Sequence, residues 1–374
     1  MRIINVVGAR PNFMKVAPVH ACFVAQGHEA HLVHTGQHYD ANMSEVFLSE
    51  LGMPKPDLNL EVGSGSHAEQ TANILLRFEP IVREIAPDLV LVAGDVNSTI
   101  ACALAAVKMG IPVAHLEAGL RSFDESMPEE INRMLTDRIS RFLLTPSADA
   151  DANLKREGLA DSRIMRVGNA MIDSLRQHRR VAEHRDTLQR LGLQRHGFAL
   201  VTLHRSRNVD DPAILGSLVR AIRRIAARIS VVFPLHPRTA AALVRHGLRR
   251  DLEGSVGFRT PGAGSGEILC IEPLGYLDFL ALQCAAKLVL TDSGGIQEET
   301  TALGVPCLTA RDNTERPITI DEGTNTLVGT DCDTIVAHAD DILTNGGKKG
   351  RIPLLWDGET APRVVAAVTG GWRH

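Results

Sequence analysis

The sequence has 374 residues, of which 44% are hydrophobic and 22% are charged, and its formal net charge at pH 7 is −4. This length exceeds what one hydrophobic core usually serves, so we expect about two domains. No apolar run reaches the ~18 residues of a membrane span, which argues against a membrane protein. The sequence also lacks a basic block, which argues against broad nucleic-acid binding, because that needs a field of Lys and Arg.

Local patterns indicate neither secretion nor metal binding. The N-terminal residues lack the apolar h-region of a signal peptide, so we predict a cytoplasmic protein. The six cysteines lie far apart without CxxC spacing, which predicts free thiols. There is no HExxH motif, and His31 and His34, three apart on a predicted strand, point to opposite faces. We therefore expect no metal and no cofactor.

The first half of the chain alternates short β-rich segments with helical ones. Its predicted strands are RIINVVG, HLVHTG, DLVLVAG, IPVAHLE, FLLTPS and RIMRVGN. Such alternation predicts parallel strands joined by right-handed helical crossovers. Continuous apolar strands such as DLVLVAG fit a sheet covered on both faces.

A polar stretch, residues 176–197, interrupts this alternation, and we interpret it as a hinge with a connecting helix. The second series of predicted strands is FALVTLHR, ISVVFPLHP, GEILCIEPLG, AKLVLTDSGG, VPCLTA and TLVGTD. We predict two similar α/β domains, residues 1–175 and 176–358, that face each other across a cleft. A last helix within 359–374 is expected to pack back on the first domain.

Ligands of open α/β sheets bind beyond the carboxyl ends of the strands. After the first strand, a glycine turn opens a helix that carries Arg10 and Lys15, which suits an anion. A plain strand-to-helix turn with two solvated cations explains that segment equally well. A second helix start, Ser293-Gly294-Gly295, lets backbone approach a phosphate closely, although no Walker lysine follows.

Polar side chains follow three further predicted strands, namely Asp95, Glu117 and His204. Each alone has an ordinary explanation as a loop residue. Their shared position at carboxyl ends of parallel strands argues against an accidental set.

The segment HLEAGLRSFDESMPEEINRMLTD gathers six acidic residues and two arginines. Pro128 suits the first position of a helix, and Glu129 and Glu130 complement the dipole of its first turn. Glu129 and Arg133 are spaced as an i, i+4 ion pair. The charges of this helix thus have a structural explanation. Glu117, at the end of an apolar strand, has none.

Taken together, these motifs resemble the non-hydrolysing UDP-N-acetylglucosamine 2-epimerase family. The matching segments are GARPNFMKVAPV, TGQH, VAGDVNSTIACALAA, HLEAGLRSFDESMPEEINRMLTD, VTLHRSRN, EPLGYLDFLALQCAAKLVLTDSGGIQEETTALGVPCLTARDNTERP and GTNTLVGTD. The resemblance implies two Rossmann-like domains of the glycosyltransferase-B type. It also implies a UDP-sugar in the cleft, catalytic carboxylates on the first domain, UDP binding by the second, and a homodimer.

The resemblance also implies roles for residues of this sequence. Those that match the catalytic residues of the family are Asp95, Glu117, Glu129 and His204. Those that match substrate-binding positions are Arg10 and Lys15 for the diphosphate and sugar, Ser293, Gly294 and Gly295 for the diphosphate, Glu299 for the ribose hydroxyls, Phe279 for the uracil, and Arg316 for the nucleotide.

The chemistry of the family explains these residue types. UDP is eliminated to give a 2-acetamidoglucal and is added back after a proton returns to the other face of the ring. This needs a base and an acid on opposite faces, and the sequence does not assign these roles among Asp95, Glu117 and Glu129. Departing UDP gains negative charge, which cations and helix N-termini stabilise.

The sequence departs from the commonest bacterial pattern at Ala9–Asn12, at Ala93 and in the segment from His38 to Asn42. Many bacterial members use residues of the last segment to bind a second UDP-N-acetylglucosamine as an allosteric ligand, so the sequence does not establish that regulation here. The SFDESMPEE spacing is one residue shorter than usual, which affects the assignment of Glu129.

Four alternatives stay open at this stage. One is the hydrolysing branch, which releases UDP and N-acetylmannosamine. Another is a related substrate, such as a UDP-2,3-diacetamido sugar acid. A retaining glycosyltransferase shares the architecture, and a non-catalytic UDP-sugar-binding module shares the ligand but would not need Asp95 and Glu117 together.

Overall fold

The computed structural model describes residues 1–37, 50, 52–253 and 267–370, with the side chains of Arg10, Pro11 and Glu253 left out. The chain divides into two compact units, one of Met1–Gln177 with Leu354–His374 and one of His178–Pro353. Each unit is built on a parallel sheet with surrounding helices, which confirms the predicted α/β fold class. The functional roles given to residues 1–175, 176–358 and 359–374 remain predictions.

The first unit contains the strands β1 (Arg2–Val7), β2 (Glu29–His34), β3 (Leu58–Asn59), β4 (Leu89–Ala93), β5 (Val113–Leu116), β6 (Phe142–Thr145) and β7 (Ile164–Arg166). Its helices are α1 (Arg10–Ala25), α2 (His67–Ile85), α3 (Asn97–Lys108), α4 (Pro128–Ile139), α5 (Ala148–Arg156), α6 (Ala170–Glu183) and, near the end of the chain, α16 (Thr360–Gly370). The division between the two units falls within α6. The described strands pair in the order β3-β2-β1-β4-β5-β6-β7, all parallel.

The second unit contains β8 (Phe198–Thr202), β9 (Ser230–Pro234), β10 (Ile268–Ile271), β11 (Leu288–Thr291), β12 (Cys307–Thr309) and β13 (Asn325–Leu327). Its helices are α7 (Thr187–Arg190), α8 (Ser206–Val209), α9 (Pro212–Ala226), α10 (Pro237–Arg245), α11 (Arg249–Glu253), α12 (Tyr276–Ala285), α13 (Gly294–Leu303), α14 (Ile318–Asp321) and α15 (Cys332–Asn345). The described strands pair in the order β10-β9-β8-β11-β12-β13, again all parallel.

Burial explains why the strands are recognisable in the sequence. Every residue of β4, β5, β6 and β11 is buried, as expected for strands covered by helices on both faces. Each predicted strand is present in the structure. The two-residue β3 was not predicted, because its exposed residues carry no apolar pattern.

The order of the strands creates one switch point in each sheet. In the first unit the order reverses between β1 and β4, and in the second between β8 and β11. Neighbouring loops diverge at such a point, and a crevice opens beyond the carboxyl ends of the strands. The candidate residues Asp95, His204 and Ser293 all lie just after these strands.

The C-terminal helix α16 packs against α1 in the first unit. The buried Asp173 of α6 accepts hydrogen bonds from the backbone N–H groups of Thr360 (3.1 Å) and Ala361 (2.8 Å), at the start of α16. Just before α16, the indole N–H of the buried Trp356 donates to the carbonyl of Pro146 at 3.0 Å. These contacts join the last described residues to the rest of the first unit.

Replacing Asp173 by Ala is expected to lower the free energy of unfolding by about 1–2 kcal/mol. The substitution removes the cap of α16 and leaves two buried N–H groups without acceptors. Urea denaturation followed by circular dichroism measures the change. The exposed neighbour Glu359→Ala serves as the control, with an effect within about 0.5 kcal/mol. Equal effects of the two substitutions would contradict the capping role.

Three general features follow from the described residues. All six cysteines are free thiols, and Cys102, Cys284 and Cys307 are buried. The described part of the chain holds no group of three or more His, Cys, Asp or Glu side chains arranged to bind a metal ion. Within the same residues, every helix is too short or too polar to cross a bilayer.

Candidate active site

A buried ion pair lies at the switch point of the first sheet. Lys15, in the second turn of α1, places its Nζ 2.5 Å from Oε2 of Glu117, which directly follows β5. The two residues are only 5% and 4% exposed. The sequence points to each of them but not to their pairing, because they are 102 residues apart. A buried charge needs a partner of opposite charge, and each of these two residues supplies the partner of the other.

The backbone at this point is shaped for close approach. Gly94 has a φ of +68°, and a Cβ there would lie 3.2 Å from Nζ of Lys15 and 3.7 Å from Oε2 of Glu117. Glu117 itself has a φ of +71°, which is uncommon for a residue other than glycine. Backbone strain of this kind concentrates at functional sites. Asp95 is the next residue after Gly94, so two candidate carboxylates flank this turn.

Asn12 connects the start of α1 to the end of β4. Its Oδ1 accepts from the N–H of Ala9 at 2.9 Å, and its Nδ2 donates to the carbonyl of Ala93 at 2.7 Å. This asparagine stands in a segment where the sequence departs from the commonest family pattern, and the sequence motifs assign it no role. The geometry makes it a fixing point for the turn beside Lys15.

Asp95 is held by an arginine from α4. Arg133 donates from Nε (3.0 Å) and Nη2 (2.6 Å) to Oδ2 of Asp95, and its Nη1 bonds Glu130. The predicted start of α4 at Pro128 is confirmed, but the predicted pair of Arg133 with Glu129 is wrong. The reason is burial. Helix α4 directs the side chain of Arg133 inward, where it meets the carboxylates of Asp95 and Glu130.

Glu130 shapes the loop between β5 and α4. Its carboxylate accepts from the N–H groups of Ser122 (3.0 Å) and Phe123 (2.9 Å). Glu129, one residue earlier, is half-buried, and its carboxylate has no hydrogen bond or ion pair with any described residue. Of the two acids in this first turn, Glu130 is therefore structural, and Glu129 has no structural partner in the described part.

Arg10 begins α1, but its side chain lies outside the described residues, and so does the segment from His38 to Asn42. The sequence predictions made for them therefore stay predictions. In the second unit, all the predicted side chains are described.

His204 is oriented by Asp292 at the switch point of the second sheet. Asp292, fully buried, accepts from the N–H groups of His204 and Arg205 and lies 2.9 Å from Nδ1 of His204. Although burial raises the pKa of Asp292, His204 and these N–H groups hold it below its usual value. Because Nδ1 faces the carboxylate, Nε2 of the 41% exposed imidazole is left for a ligand.

A cluster of charges surrounds the start of α13, which begins at Gly294 directly after Ser293, with Gly295 in its first turn. Arg316 lies 2.5 Å from Glu315 and 3.0 Å from Glu298. The other described members of this cluster are Arg205, 3.3 Å from Glu315, and Arg311, 2.8 Å from Glu315.

The composition of this cluster suits an anion. Among the described residues it combines three guanidinium groups with two carboxylates, beside the N-terminus of a helix. Guanidinium groups and a helix N-terminus are both groups that bind phosphates. The sequence predicted Arg316 and the glycines. It missed Glu298, Glu315 and Arg311, since only the folded chain brings them to Gly294.

Glu299 lies deeper along α13 and is buried. Tyr276 donates to its Oε1 at 3.2 Å and Gln283 to its Oε2 at 2.6 Å. Burial raises the pKa of Glu299 to about 7, and these two hydrogen bonds only partly counter it. Phe279, on the same helix as Tyr276 and Gln283, is partly buried against the core around Phe198. The two predicted nucleotide-binding residues thus lie on α13 and α12.

Two parallel-sheet units with polar residues gathered at both switch points are the arrangement of a nucleotide-binding α/β protein. A family model described as UDP-N-acetylglucosamine 2-epimerase matches residues 21–369. The chain belongs to this family, which confirms the resemblance found in the sequence.

Relatives and solved structures agree with this assignment. The UDP-N-acetylglucosamine 2-epimerase of Methanocaldococcus jannaschii is 40% identical over 99% of this chain and 100% of its own length. Its crystal structure in complex with UDP-GlcNAc and UDP gives a TM-score of 0.89 over 99% of this chain and 100% of that one. The UDP-2,3-diacetamido-2,3-dideoxy-D-glucuronate 2-epimerase of Pseudomonas aeruginosa is 43% identical over 91% of both chains.

Proposed function

We propose that the protein catalyses the reversible epimerisation of UDP-N-acetylglucosamine at carbon 2, giving UDP-N-acetylmannosamine. The observation that carries this proposal is the buried Lys15–Glu117 pair beside the turn that leads into Asp95. It places a carboxylate and an amine, both groups that can take part in proton transfer, in one buried site. The similarity to the Methanocaldococcus jannaschii enzyme over nearly the whole chain supports the choice of substrate.

The proposed reaction proceeds by elimination and re-addition. A base removes the proton from carbon 2, the bond between carbon 1 and the UDP oxygen breaks with its electron pair going to UDP, and 2-acetamidoglucal forms. UDP then adds back to carbon 1 while an acid returns a proton to the other face of carbon 2. No oxidant or reductant is needed. Asp95, Glu117 and Glu129 are the proposed proton-transfer groups, each worth about 10²- to 10⁴-fold in rate.

The second unit is proposed to bind and stabilise UDP. Ser293, Gly294 and Gly295 present the start of α13 to the diphosphate, with Arg316 beside them. His204, oriented by Asp292, adds a further group for the charge that develops on departing UDP. In the first unit, Arg10 and Lys15 are proposed to face the diphosphate and sugar, as the family resemblance implies.

Proton NMR with UDP-N-acetylglucosamine in D₂O, without added metal or nicotinamide, tests the proposal. The expected result is UDP-N-acetylmannosamine that carries deuterium at carbon 2. Free N-acetylmannosamine together with UDP would instead assign the protein to the hydrolysing branch. Absence of exchange at carbon 2 would overturn the proposed substrate.

A second candidate substrate is a UDP-2,3-diacetamido sugar acid. The similarity to the Pseudomonas aeruginosa enzyme is as strong as that to the epimerases of UDP-N-acetylglucosamine, so identity alone does not separate them. Running the same NMR assay with both UDP-sugars decides the matter. The physiological substrate is the one with the larger kcat/KM.

The affinity for UDP is expected to increase as the pH rises through about 7. Glu299, whose pKa burial raises to about 7, is partly protonated in the free protein at neutral pH. Ribose hydroxyls donate best to an ionised carboxylate, so binding favours loss of this proton, and affinity is lost below pH 7. Calorimetric titration with UDP between pH 5.5 and 8.5 measures the effect.

The terminal phosphate of UDP also titrates, with a second pKa of about 6, as for other terminal phosphoryl groups. A Glu299→Gln variant separates the two effects. Its affinity for UDP should still change with pH where the phosphate titrates, but should no longer change near pH 7. If the variant and the parent protein gave the same pH profile, Glu299 would not be the group responsible.

We further propose that the protein forms a homodimer and resides in the cytoplasm. Helix α4 leaves Ile131, Met134 and Leu135 exposed with the spacing of a single helix face. Adjacent exposed apolar side chains are typical of an interaction surface. Light scattering is expected to give twice the chain mass of 40.5 kDa. A mass of one chain would refute the dimer.

A further inference from the structure

We propose that His115, a residue with no assigned role, is a positioning residue for Asp95 and Glu117, acting together with Asp137. This inference rests on the proposed epimerase function. His115 belongs to β5 and Asp137 to α4, and both side chains are completely buried. Together with Gly94 and Gly119 they form what we call the His115 network.

The imidazole joins the end of β4 to α4. Its Nε2 lies 2.8 Å from the carbonyl oxygen of Gly94, and its Nδ1 lies 2.7 Å from Oδ1 of Asp137. A carbonyl and a carboxylate only accept hydrogen bonds, so each ring nitrogen faces an acceptor. The N–H of Gly94 is bonded at the same time to the carbonyl of Leu116 at 3.0 Å. Gly94 is therefore fixed from both sides, and Asp95 follows it directly.

The carboxylate of Asp137 joins the same imidazole to the turn that carries Glu117. Its Oδ2 accepts from the N–H of Gly119 at 3.1 Å and lies 2.8 Å from Nη2 of Arg121. Although burial raises the pKa of Asp137, His115 and Arg121 hold it below its usual value, so it remains an acceptor. One buried network thus fixes the turns after β4 and β5.

These two turns need external support. Gly94, Glu117 and Gly119 all have φ values between +68° and +82°, in the left-handed region. Such a backbone is retained only where the surroundings hold it. A carboxylate displaced by about 1 Å from its reacting atom costs about 10²-fold in rate. The His115 network is suited to prevent that displacement.

Two substitutions at this residue distinguish positioning from mere packing. A glutamine amide reaches the place of Nε2 and keeps the bond to Gly94, whereas an asparagine amide reaches the place of Nδ1 and loses it. We expect His115→Asn to lower kcat about 10²-fold, and His115→Gln to retain kcat within about tenfold. KM for the UDP-sugar and Kd for UDP change less than about threefold, because the nucleotide-binding residues are untouched.

Hydrogen exchange provides a readout that does not depend on activity. In folded His115→Asn, the amides of residues 94–97 and 117–120 are expected to exchange faster than in the parent protein. His20 supplies the matched control, since it is a buried histidine of the same unit that bonds Asn5 on β1 and contacts neither turn. His20→Asn should lower stability and leave kcat and exchange at both turns unchanged.

Each outcome decides between the two interpretations. Equal losses of kcat in His115→Asn and His115→Gln, or unchanged exchange at both turns, would overturn the positioning role. If His115→Asn does not fold, Asp137→Asn, which keeps the shape of the side chain, is expected to show the same loss of kcat. If the parent protein leaves carbon 2 unexchanged in D₂O, the proposed function fails, and hydrogen exchange still tests the network.

Discussion

Glu117→Gln is expected to slow epimerisation about 10²- to 10⁴-fold while leaving the affinity for UDP within about threefold of the parent protein. The substitution removes a carboxylate that lies at the carboxyl end of β5, 2.5 Å from Lys15. An amide of the same shape neither takes nor returns a proton. UDP affinity persists because most of the residues proposed to bind UDP belong to the second unit, and Lys15 of the first unit is itself unchanged.

This substitution also lowers stability, because it leaves Lys15 buried without its counter-charge. Breaking a buried pair by removing one partner typically costs about 3–5 kcal/mol. Activity is therefore followed by NMR well below the melting temperature of the variant, with circular dichroism as the check on folding. Glu125→Gln, at an exposed acid of the same segment, is the control and should retain full activity. A folded Glu117→Gln protein with ordinary kcat would remove Glu117 from the mechanism.

The second large effect is expected for Gly294→Ala, which should weaken UDP binding about 10- to 100-fold. The backbone of Gly294 is not left-handed, so the effect is purely steric. A Cβ would overlap Nη1 of Arg316 and approach Oε1 of Glu315 to 2.7 Å. Arg316 must then move away from the start of α13. A hydrogen bond to a charged group contributes about 1.5–3 kcal/mol, which corresponds to this range of affinity.

Calorimetric titration with UDP measures this loss. Gly216→Ala is the matched control, because it places the same methyl group in α9, where the nearest atom is Nη1 of Arg220 at an ordinary 3.5 Å. That variant should bind UDP as the parent protein does, and it gains slightly in helix propensity. Unchanged affinity in Gly294→Ala would show that the start of α13 does not contact the nucleotide.

Much of the fold was predictable because apolar strands of a doubly covered sheet stand out in a sequence. DLVLVAG and AKLVLTDSGG are such segments, and both form central strands. The rule that ligands bind at carboxyl ends of strands then selects Asp95, Glu117 and His204 from the sequence alone. The resemblance to the family adds Glu129, Glu299 and Arg316, which no local pattern marks.

The partners of these residues were not predictable, because they come from distant parts of the chain. Lys15 meets Glu117 across 102 residues, and His204 meets Asp292 across 88. Only the register of parallel strands determines such contacts. The local i, i+4 rule even gave a wrong partner for Arg133, because the half-buried carboxylate of Asp95, from another loop, lies within bonding distance. The sequence pattern marks His115 simply as part of a strand, although its ring bonds both neighbouring elements.

The first unit is formed by two separate segments of the chain, so it cannot be completed until the second unit has been synthesised. Residues 354–370 complete this unit through Trp356 and α16, yet the 176 residues of His178–Pro353 are translated before them. At about 5–20 residues per second, the ribosome needs roughly 10 to 35 s to make that stretch. Through this interval the nascent first unit exposes the apolar side of α1 that α16 will later cover. Its aggregation risk is therefore highest during translation, and chaperones that act on nascent chains should raise its yield.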